Sequence, residues 1–436
     1  MKIAVIGSGI SGLSAACFLA RRHAVTLYEQ DARIGGHTNT IMVPTPAGGQ
    51  PVDTGWIVYT AGNYPKLTAL FAELGIATRS TRMSFAVSLG GGAYEWKGSD
   101  NLLSVLAQPS NLLRPVHLQL LRDILRLNRE CTQRLRTATL PGGALGDFLR
   151  EARFSDALCA RYLLPMAGLI WSCSPRQALE YPAADFMRFF DAHGLFTATR
   201  QPEWRTVAGG SRRYVAALLD RYGGALRVRT HTPVDSLLRV DGGVEVVSSG
   251  GRERYERAVC AVHSDQALRM LADPSPAERD VLAGIPYNAS RVVLHTDTGY
   301  LPRRRRAWAS WNYINDDAVD PRHVDFAREV HERPISGSYW MNLLQGIPGP
   351  VDYIVTLNPT RAIAPEKILY QTDYHHPHYG ASSVTTHRRL TRIQGAGGLW
   401  WAGAWTGYGF HEDGLVSGLR AVAGVDRECL PGWARL

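Results

Sequence analysis

His411, Glu412 and Asp413 form the densest cluster of proton-carrying side chains beside a glycine-rich turn in this chain. An imidazole at such a place can accept or return a proton near neutral pH. The two acids can equally cap the helix that Asp413-Gly414-Leu415-Val416-Ser417-Gly418 opens, because carboxylates are favoured at helix N-termini. A second group is defined by spacing. Gly7, Gly9 and Gly12 stand in Gly7-Ser8-Gly9-Ile10-Ser11-Gly12, and Glu29 follows 22 residues after Gly7. Gly7 suits a tight turn, Gly9 lets a pyrophosphate approach the backbone, and Gly12 lets a helix pack on a strand. Glu29, with Gln30 beside it, falls where a ribose hydroxyl is held.

These residues need particular elements to hold them. An apolar run, Ile3 to Ile6, reads as a strand that feeds the first glycine. A helix should follow to about Arg22, with its N-terminal N–H groups and positive dipole end turned to the phosphates. Val25 to Tyr28 reads as the next strand and ends on Glu29. With strand, helix and acid all in place, the fingerprint points to a bound dinucleotide. Further on, Leu226 to Val228, Val234 to Val240 and Val244 to Val247 alternate like strands, and Ala258 to Val262 reads as a buried one. Residues from about 100 to 200 read as largely helical, and those from about 286 to 384 as β-rich and aromatic. The expected fold is therefore α/β: a Rossmann-like domain assembled from residues 1–75, 205–285 and 385–436, interleaved with an α+β substrate domain from 76–204 and 286–384.

Three further segments select a flavin over a nicotinamide. Arg33-Ile34-Gly35-Gly36-His37-Thr38 lets the backbone pass close to a flavin while Arg33 meets a phosphate. Val52-Asp53-Thr54-Gly55, followed by Trp56, opens another close-approach turn. Trp401-Ala402-Gly403-Ala404-Trp405 ends a strand, and the helix opened by Gly414 and Leu415 would point its N-terminus at the pyrimidine end of the ring.

In this order the segments resemble the flavin-containing amine oxidoreductase superfamily, which includes monoamine and polyamine oxidases, protoporphyrinogen oxidase and phytoene desaturases. The resemblance spans nearly the whole chain and includes the Gly209-Gly210 turn. It implies FAD, and a strand backbone at Val234 to hold the adenine. Asp53-Thr54-Gly55-Trp56-Ile57-Val58, Trp308 to Tyr313, Tyr339-Trp340-Met341-Asn342 and Gly407 to Gly414 resemble, more particularly, a bacterial subgroup encoded beside cyclopropane-fatty-acid-synthase-type methyltransferases. Relatives there are linked to desaturation of methylated fatty acyl chains, and more distant ones isomerise double bonds. The implied activity is hydride abstraction from an unsaturated fatty acyl chain, with oxygen as a candidate electron acceptor. An oxidase of small amines and a polyisoprenoid or carotenoid-type desaturase are the alternatives, and a non-catalytic FAD scaffold is a third.

Several departures bear on that choice. No second GxGxxG occurs in mid-chain, where NAD(P)H-fed flavoproteins carry one. The strand Ser290 to His295 contains no lysine, although amine oxidases of the superfamily place one near the flavin. No cysteine lies in the stretch just before the last motif, where some members of the superfamily attach FAD, so the FAD should be noncovalent. His411, Glu412 and Asp413 are then the catalytic candidates, with His411 as proton acceptor, and His37 is a second imidazole for the flavin face. Trp56, Trp171, Trp311, Tyr339, Trp340 and Phe410 are the candidates for the substrate wall.

The bulk properties set outer limits. The chain has 436 residues, 45% hydrophobic and 20% charged, as in ordinary globular proteins. No apolar run reaches the ~18 residues of a membrane span. The chain starts directly in the first strand, so a cytoplasmic protein without a signal peptide is expected. Six cysteines show no metal spacing. Net charge is +9 with only four lysines, and no nucleic-acid module accompanies it. An anionic membrane surface is the candidate partner for that charge. Leu112 to Arg136 sets Leu120, Ile124, Leu127, Cys131 and Leu135 on one helical face and Arg122, Arg126, Arg129 and Arg136 on another, a pattern for either a packed surface helix or a peripheral lipid-binding one.

Overall fold

The computed structural model describes residues 1–46, 48–98, 106–196, 202–317, 320, 322–326 and 330–435. Its first layer is a five-stranded parallel sheet whose spatial order is Leu226–Arg229, Ala24–Tyr28, Lys2–Ile6, Arg257–Cys260 and Leu399–Trp401. Numbered along the chain, that is order 3-2-1-4-5, the doubly wound arrangement whose reversal point lies beside the first strand. Ile3, Ala4 and Val5 have no exposed surface, as a parallel strand covered on both faces requires.

Helix α1 (Ile10–Leu19) is buried along its whole length, and it stops three residues short of the sequence expectation. Helix α2 (Pro65–Glu73) starts on a proline, which has no N–H to leave unpaired there. Helix α3 (Pro115–Arg136) keeps Leu120, Leu127 and Cys131 inside, as the periodicity required. Helix α4 (Arg212–Tyr222) and helix α5 (His411–Asp426) pack on α1. Among the described residues no helix is long and apolar enough to cross a membrane.

The second layer is a seven-stranded sheet ordered Ile368–Pro377, Tyr287–His295, Ile354–Leu357, Gly337–Trp340, Trp311–Asn315, Phe85–Leu89 and Tyr94–Gly98. Pairing within it is antiparallel except between Trp311–Asn315 and Phe85–Leu89. Helical residues 156–171 pack on it: Tyr162 meets Phe85, Leu169 lies against Gly337, and Trp96 donates to the Arg161 oxygen. The cysteines are all buried thiols.

Candidate functional site

The glycines of the first turn serve two different purposes. A Cβ on Gly12 would lie 1.9 Å from the Gly7 carbonyl oxygen, and one on Gly7 would lie 2.9 Å from the Ala261 oxygen. Both positions are glycine because the protein packs against itself there. Nothing lies within 4 Å of the place a Cβ on Gly9 would take. That open side faces the start of α1, which has no side-chain cap and no acid in its first turn. A helix N-terminus left uncapped beside free space is suited to an anion.

The other glycine segments press onto this turn. A Cβ on Gly36 would meet the Gly9 Cα at 2.9 Å, and one on Gly55 would meet the His37 oxygen at 2.0 Å. Gly35 donates its N–H to the Ser8 oxygen at 3.1 Å, Trp56 donates to the His37 oxygen at 2.8 Å, and Arg33 donates to the Thr38 oxygen at 3.3 Å. From the far side α5 crosses α1 so closely that a Cβ on Gly414 would sit 2.8 Å from Ile10, and one on Gly418 would sit 2.4 Å from the Ser11 oxygen. Ser417 accepts the Gly403 N–H at 2.8 Å, Ala404 opens a short turn, and Leu415 is fully buried. Glu29 is buried at the end of its strand and accepts N–H groups from Ser8 (3.1 Å) and Asp31 (3.0 Å) as well as the Ser8 hydroxyl. Gln30 next to it is exposed. Val234 begins its strand in a buried position.

Three buried polar atoms near this turn have no partner: His37 Nε2, Trp56 Nε1 and His376 Nδ1. Such groups are rare unless something else satisfies them. His37 stacks on Tyr374 at 4.7 Å and lies 5.2 Å from His376. Free space at Gly9, an uncapped helix start and orphaned ring nitrogens beyond it together fit a dinucleotide that carries a polar heteroaromatic ring.

The acidic loop is engaged elsewhere. Glu412 accepts the N–H groups of Lys66 (2.8 Å) and Leu67 (2.9 Å), so it caps α2, whose own N-cap residue supplies no side-chain bond. Asp413 accepts from Tyr408 (3.1 Å) and Phe410 (3.0 Å), which explains why α5 begins at His411, two residues earlier than Asp413 suggested. Burial raises the Asp413 carboxyl to about 6 and raises Glu412 as well. His411 stacks on Trp56 at 4.4 Å and meets the Tyr214 hydroxyl at 2.7 Å. Burial holds its pKa down at about 3, so its ring is neutral and weakly basic. Burial likewise lowers His376 to about 4 and His37 well below the ordinary range, and neighbouring histidines add to both effects.

Beside Trp56 lies a cavity of about 370 Å3. Trp56, Tyr374, His376 and Phe410 line its end next to the glycine turn, and Ile124 and Asn128 of α3 line another part. No Asp, Glu, Lys or Arg occurs among its described lining residues. Of the aromatic wall candidates, Trp56, Trp311, Tyr339 and Phe410 face it. Trp340 does not: neighbours in a strand point to opposite faces, so with Tyr339 inward, Trp340 crosses Trp308 at 5.2 Å and bonds Asp352. Trp171 is also withdrawn, stacked on Tyr181 at 4.3 Å within the helical core, while Ile170 and Ser172 beside it reach the cavity.

Sequence reasoning missed His376, Tyr374, Tyr64 and His193, all of which line the cavity. The signal for two of them was present. Tyr370, Thr372, Tyr374 and His376 recur at every second position of one strand and so share a face.

A family model described as flavin containing amine oxidoreductase matches residues 10–303. No curated protein is significantly similar in sequence. Among solved structures, a protoporphyrinogen-oxidase-like protein from Exiguobacterium sp. 255-15 is similar with a TM-score of 0.67 at 17% identity, over 98% of this chain and 99% of its own. A CLA-producing fatty acid isomerase from P. acnes gives 0.63 at 16%, over 98% of each chain. Cyclohexylamine oxidase from Brevibacterium oxydans IH-35A gives 0.65 at 16%, over 98% and 99%. At such identities the likeness is one of fold.

Proposed function

Because the chain belongs to the flavin-containing amine oxidoreductases, we propose that it is an FAD-dependent oxidoreductase that takes a hydride from an unsaturated fatty acyl chain, giving desaturation or double-bond isomerisation. The observation that carries this proposal is the cavity next to Trp56 and His376, whose described lining holds no Asp, Glu, Lys or Arg. A small amine enters as an ammonium ion, and burying that charge without a carboxylate costs several kcal/mol or forces deprotonation. An acyl chain meets no such penalty there and gains roughly 0.8 kcal/mol per buried CH2.

FAD, when bound, supplies the hydride acceptor, and oxygen is the proposed final acceptor where the chain is desaturated. The protein supplies the rest. Gly9 and the start of α1 would hold the pyrophosphate, Glu29 the ribose, Val234 the adenine, and Gly36, His37, Gly55 and Gly403 the ring surroundings. The apolar walls orient the acyl chain and exclude water. For desaturation a base must then remove a proton from the carbon next to the cationic centre, whereas for isomerisation the hydride returns at another carbon. His376 is the better placed base: it lines the cavity and its Nδ1 is unpartnered. His411, expected from the sequence to do this, is tied to Tyr214 and stacked behind Trp56, so it acts as a positioning residue.

The two roles separate experimentally. His376→Ala should cut single-turnover formation of the desaturated product by roughly 10²–10⁴-fold per bound flavin while flavin content stays near wild type. His411→Ala should instead lower flavin occupancy, with under tenfold loss per bound flavin. The reverse pattern would return the base to His411. The function as a whole is checked by anaerobic mixing of the yellow protein with unsaturated acyl lipids and with small primary and diamines, followed by mass spectrometry of the products. Bleaching with acyl lipids and a matching shift of mass or double-bond position are expected. Bleaching by amines alone would establish the amine-oxidase alternative.

A further inference from the structure

Helix α3 carries an outward face that the core does not use. Leu118 is 49% exposed and Leu125 62%, and Leu112 and Leu113 just before the helix are 42% and 86% exposed. At 3.6 residues per turn, Leu118, Leu121 and Leu125 fall within about 100° of arc together with Arg122, Arg129 and Arg136. No acid shares that face. Asp123 is buried on the inner side, where Arg122, itself largely exposed, reaches it at 3.5 Å, and Glu130 lies to the flank, bound to Arg134. Arg126, counted with the basic face on sequence grounds, is turned aside. Its guanidinium lies 4.0 Å from the Phe154 ring centroid and donates to the Ala152 oxygen.

Single exposed leucines need no explanation, but a row of them edged only by arginines does. Leucine would enter the acyl boundary of a bilayer, and arginine would reach the headgroup phosphates, with its aliphatic stem along the apolar layer. The same helix forms cavity wall through Ile124 and Asn128, on the flank next to Leu121. Among the described residues the lining offers no Lys or Arg to a free fatty acid's carboxylate, whereas the arginines outside offer several to a lipid headgroup.

We infer that the outward face of α3, with Leu112 and Leu113, docks on the surface of an anionic lipid bilayer, so that the cavity takes its acyl chain from a membrane lipid whose headgroup stays outside. Loading from the membrane rests on the acyl-chain function proposed above, whereas docking does not, and vesicle binding is read without turnover. The two can therefore fail separately.

The test uses the full, FAD-loaded chain and sedimentation with vesicles of phosphatidylcholine alone or mixed with phosphatidylglycerol, at low and high salt. The protein should partition onto the anionic vesicles at least tenfold better than onto neutral ones, and less so as salt rises. Leu113→Ser/Leu118→Ser/Leu125→Ser should lose at least tenfold in partitioning with unchanged flavin content. Arg122→Gln/Arg129→Gln should lose roughly fivefold per arginine and flatten the salt dependence. Equal partitioning of the leucine variant and wild type would overturn the proposal, as would no binding at low salt. A dimer that the leucine substitutions convert to monomer, with no vesicle binding, would overturn it too and make the face a contact between two copies of this chain.

Discussion

Gly9→Val should yield a folded protein that purifies colourless. The position has a backbone conformation open to any residue, φ −59° and ψ 174°, and no protein atom lies within 4 Å of the added Cβ. The apoprotein's melting temperature should therefore match that of wild-type apoprotein. The valine would occupy the space beside the uncapped start of α1. A pyrophosphate there exchanges two or more charge-assisted hydrogen bonds with backbone N–H groups, each contributing about 1.5–3 kcal/mol. Losing two costs at least ~3 kcal/mol, more than a hundredfold in affinity. Gly12→Val is the contrast. Its Cβ would lie 1.9 Å from the Gly7 oxygen, so the strand–helix packing itself should fail and little folded protein should be recovered. Titration of the two apoproteins with FAD, alongside circular dichroism, separates the cases. Wild-type FAD affinity in Gly9→Val would mean that the pyrophosphate does not approach at Gly9.

Stability should fall steeply as the pH drops from 6.5 toward 4. Burial lowers His117, His263, His295 and His376 to about 4 and His411 to about 3, and His37 also lies well below 6.5. In the unfolded chain these imidazoles take up protons through pH 6.5, but in the folded protein all six do so at lower pH, near 4 for the first four and near 3 for His411. Between those values the unfolded state binds more protons, so acid favours unfolding. Asp53 and Asp413 act in the opposite sense, because burial raises both from 3.8 to about 6. The folded state then holds their protons first, and their contribution grows as pH falls from 6 to 3.8. Six histidines outweigh these two acids and Glu412, which burial also raises. Each unbalanced proton changes stability by about 1.4 kcal/mol per pH unit, so the net slope is on the order of several kcal/mol per unit. That is large against the usual total of roughly 5–15 kcal/mol. Urea midpoints measured at intervals from pH 7.5 to about 4.5 should decline monotonically, and a flat profile would contradict it. His117→Gln, remote from the glycine turn and bonded to Tyr94, should make the decline shallower.

The contrast between the glycine turn and the acidic loop shows where sequence reasoning ends. Gly7, Gly9, Gly12 and Glu29 were assigned correctly to one strand–helix–strand unit because their partners are near in sequence. The Gly7 N–H donates to Tyr28, and the Ser8 N–H to Glu29. Their residue types follow from local steric demands that any chain must meet at that turn. His411, Glu412 and Asp413 looked like one cluster for the same reason, yet the fold gives them three different partners. Glu412 meets backbone N–H groups about 345 residues away, His411 meets Tyr214 about 200 away, and Asp413 closes its own loop.

Alternation and periodicity likewise placed the strands and α3, since each is set by side-chain spacing along a single element. They gave the buried side of α3, but not every side chain that would meet water or which face of a strand would line the cavity. Leu118 and Leu125 remain on the surface although they belong to a leucine-rich helix, and Trp340 turns away from the wall that Tyr339 joins. The amino-acid sequence by itself determined the dinucleotide turn, the flavin-type glycine segments and the identity of most secondary elements, all of them products of short-range geometry. Only the tertiary structure decided the order of the parallel sheet, the cavity and its described lining, the neutral state of the buried imidazoles and the exposure of Leu118 and Leu125 beside the arginines of α3. Those depend on burial and on contacts between segments hundreds of residues apart, and burial is a property of the folded chain that no local spacing carries.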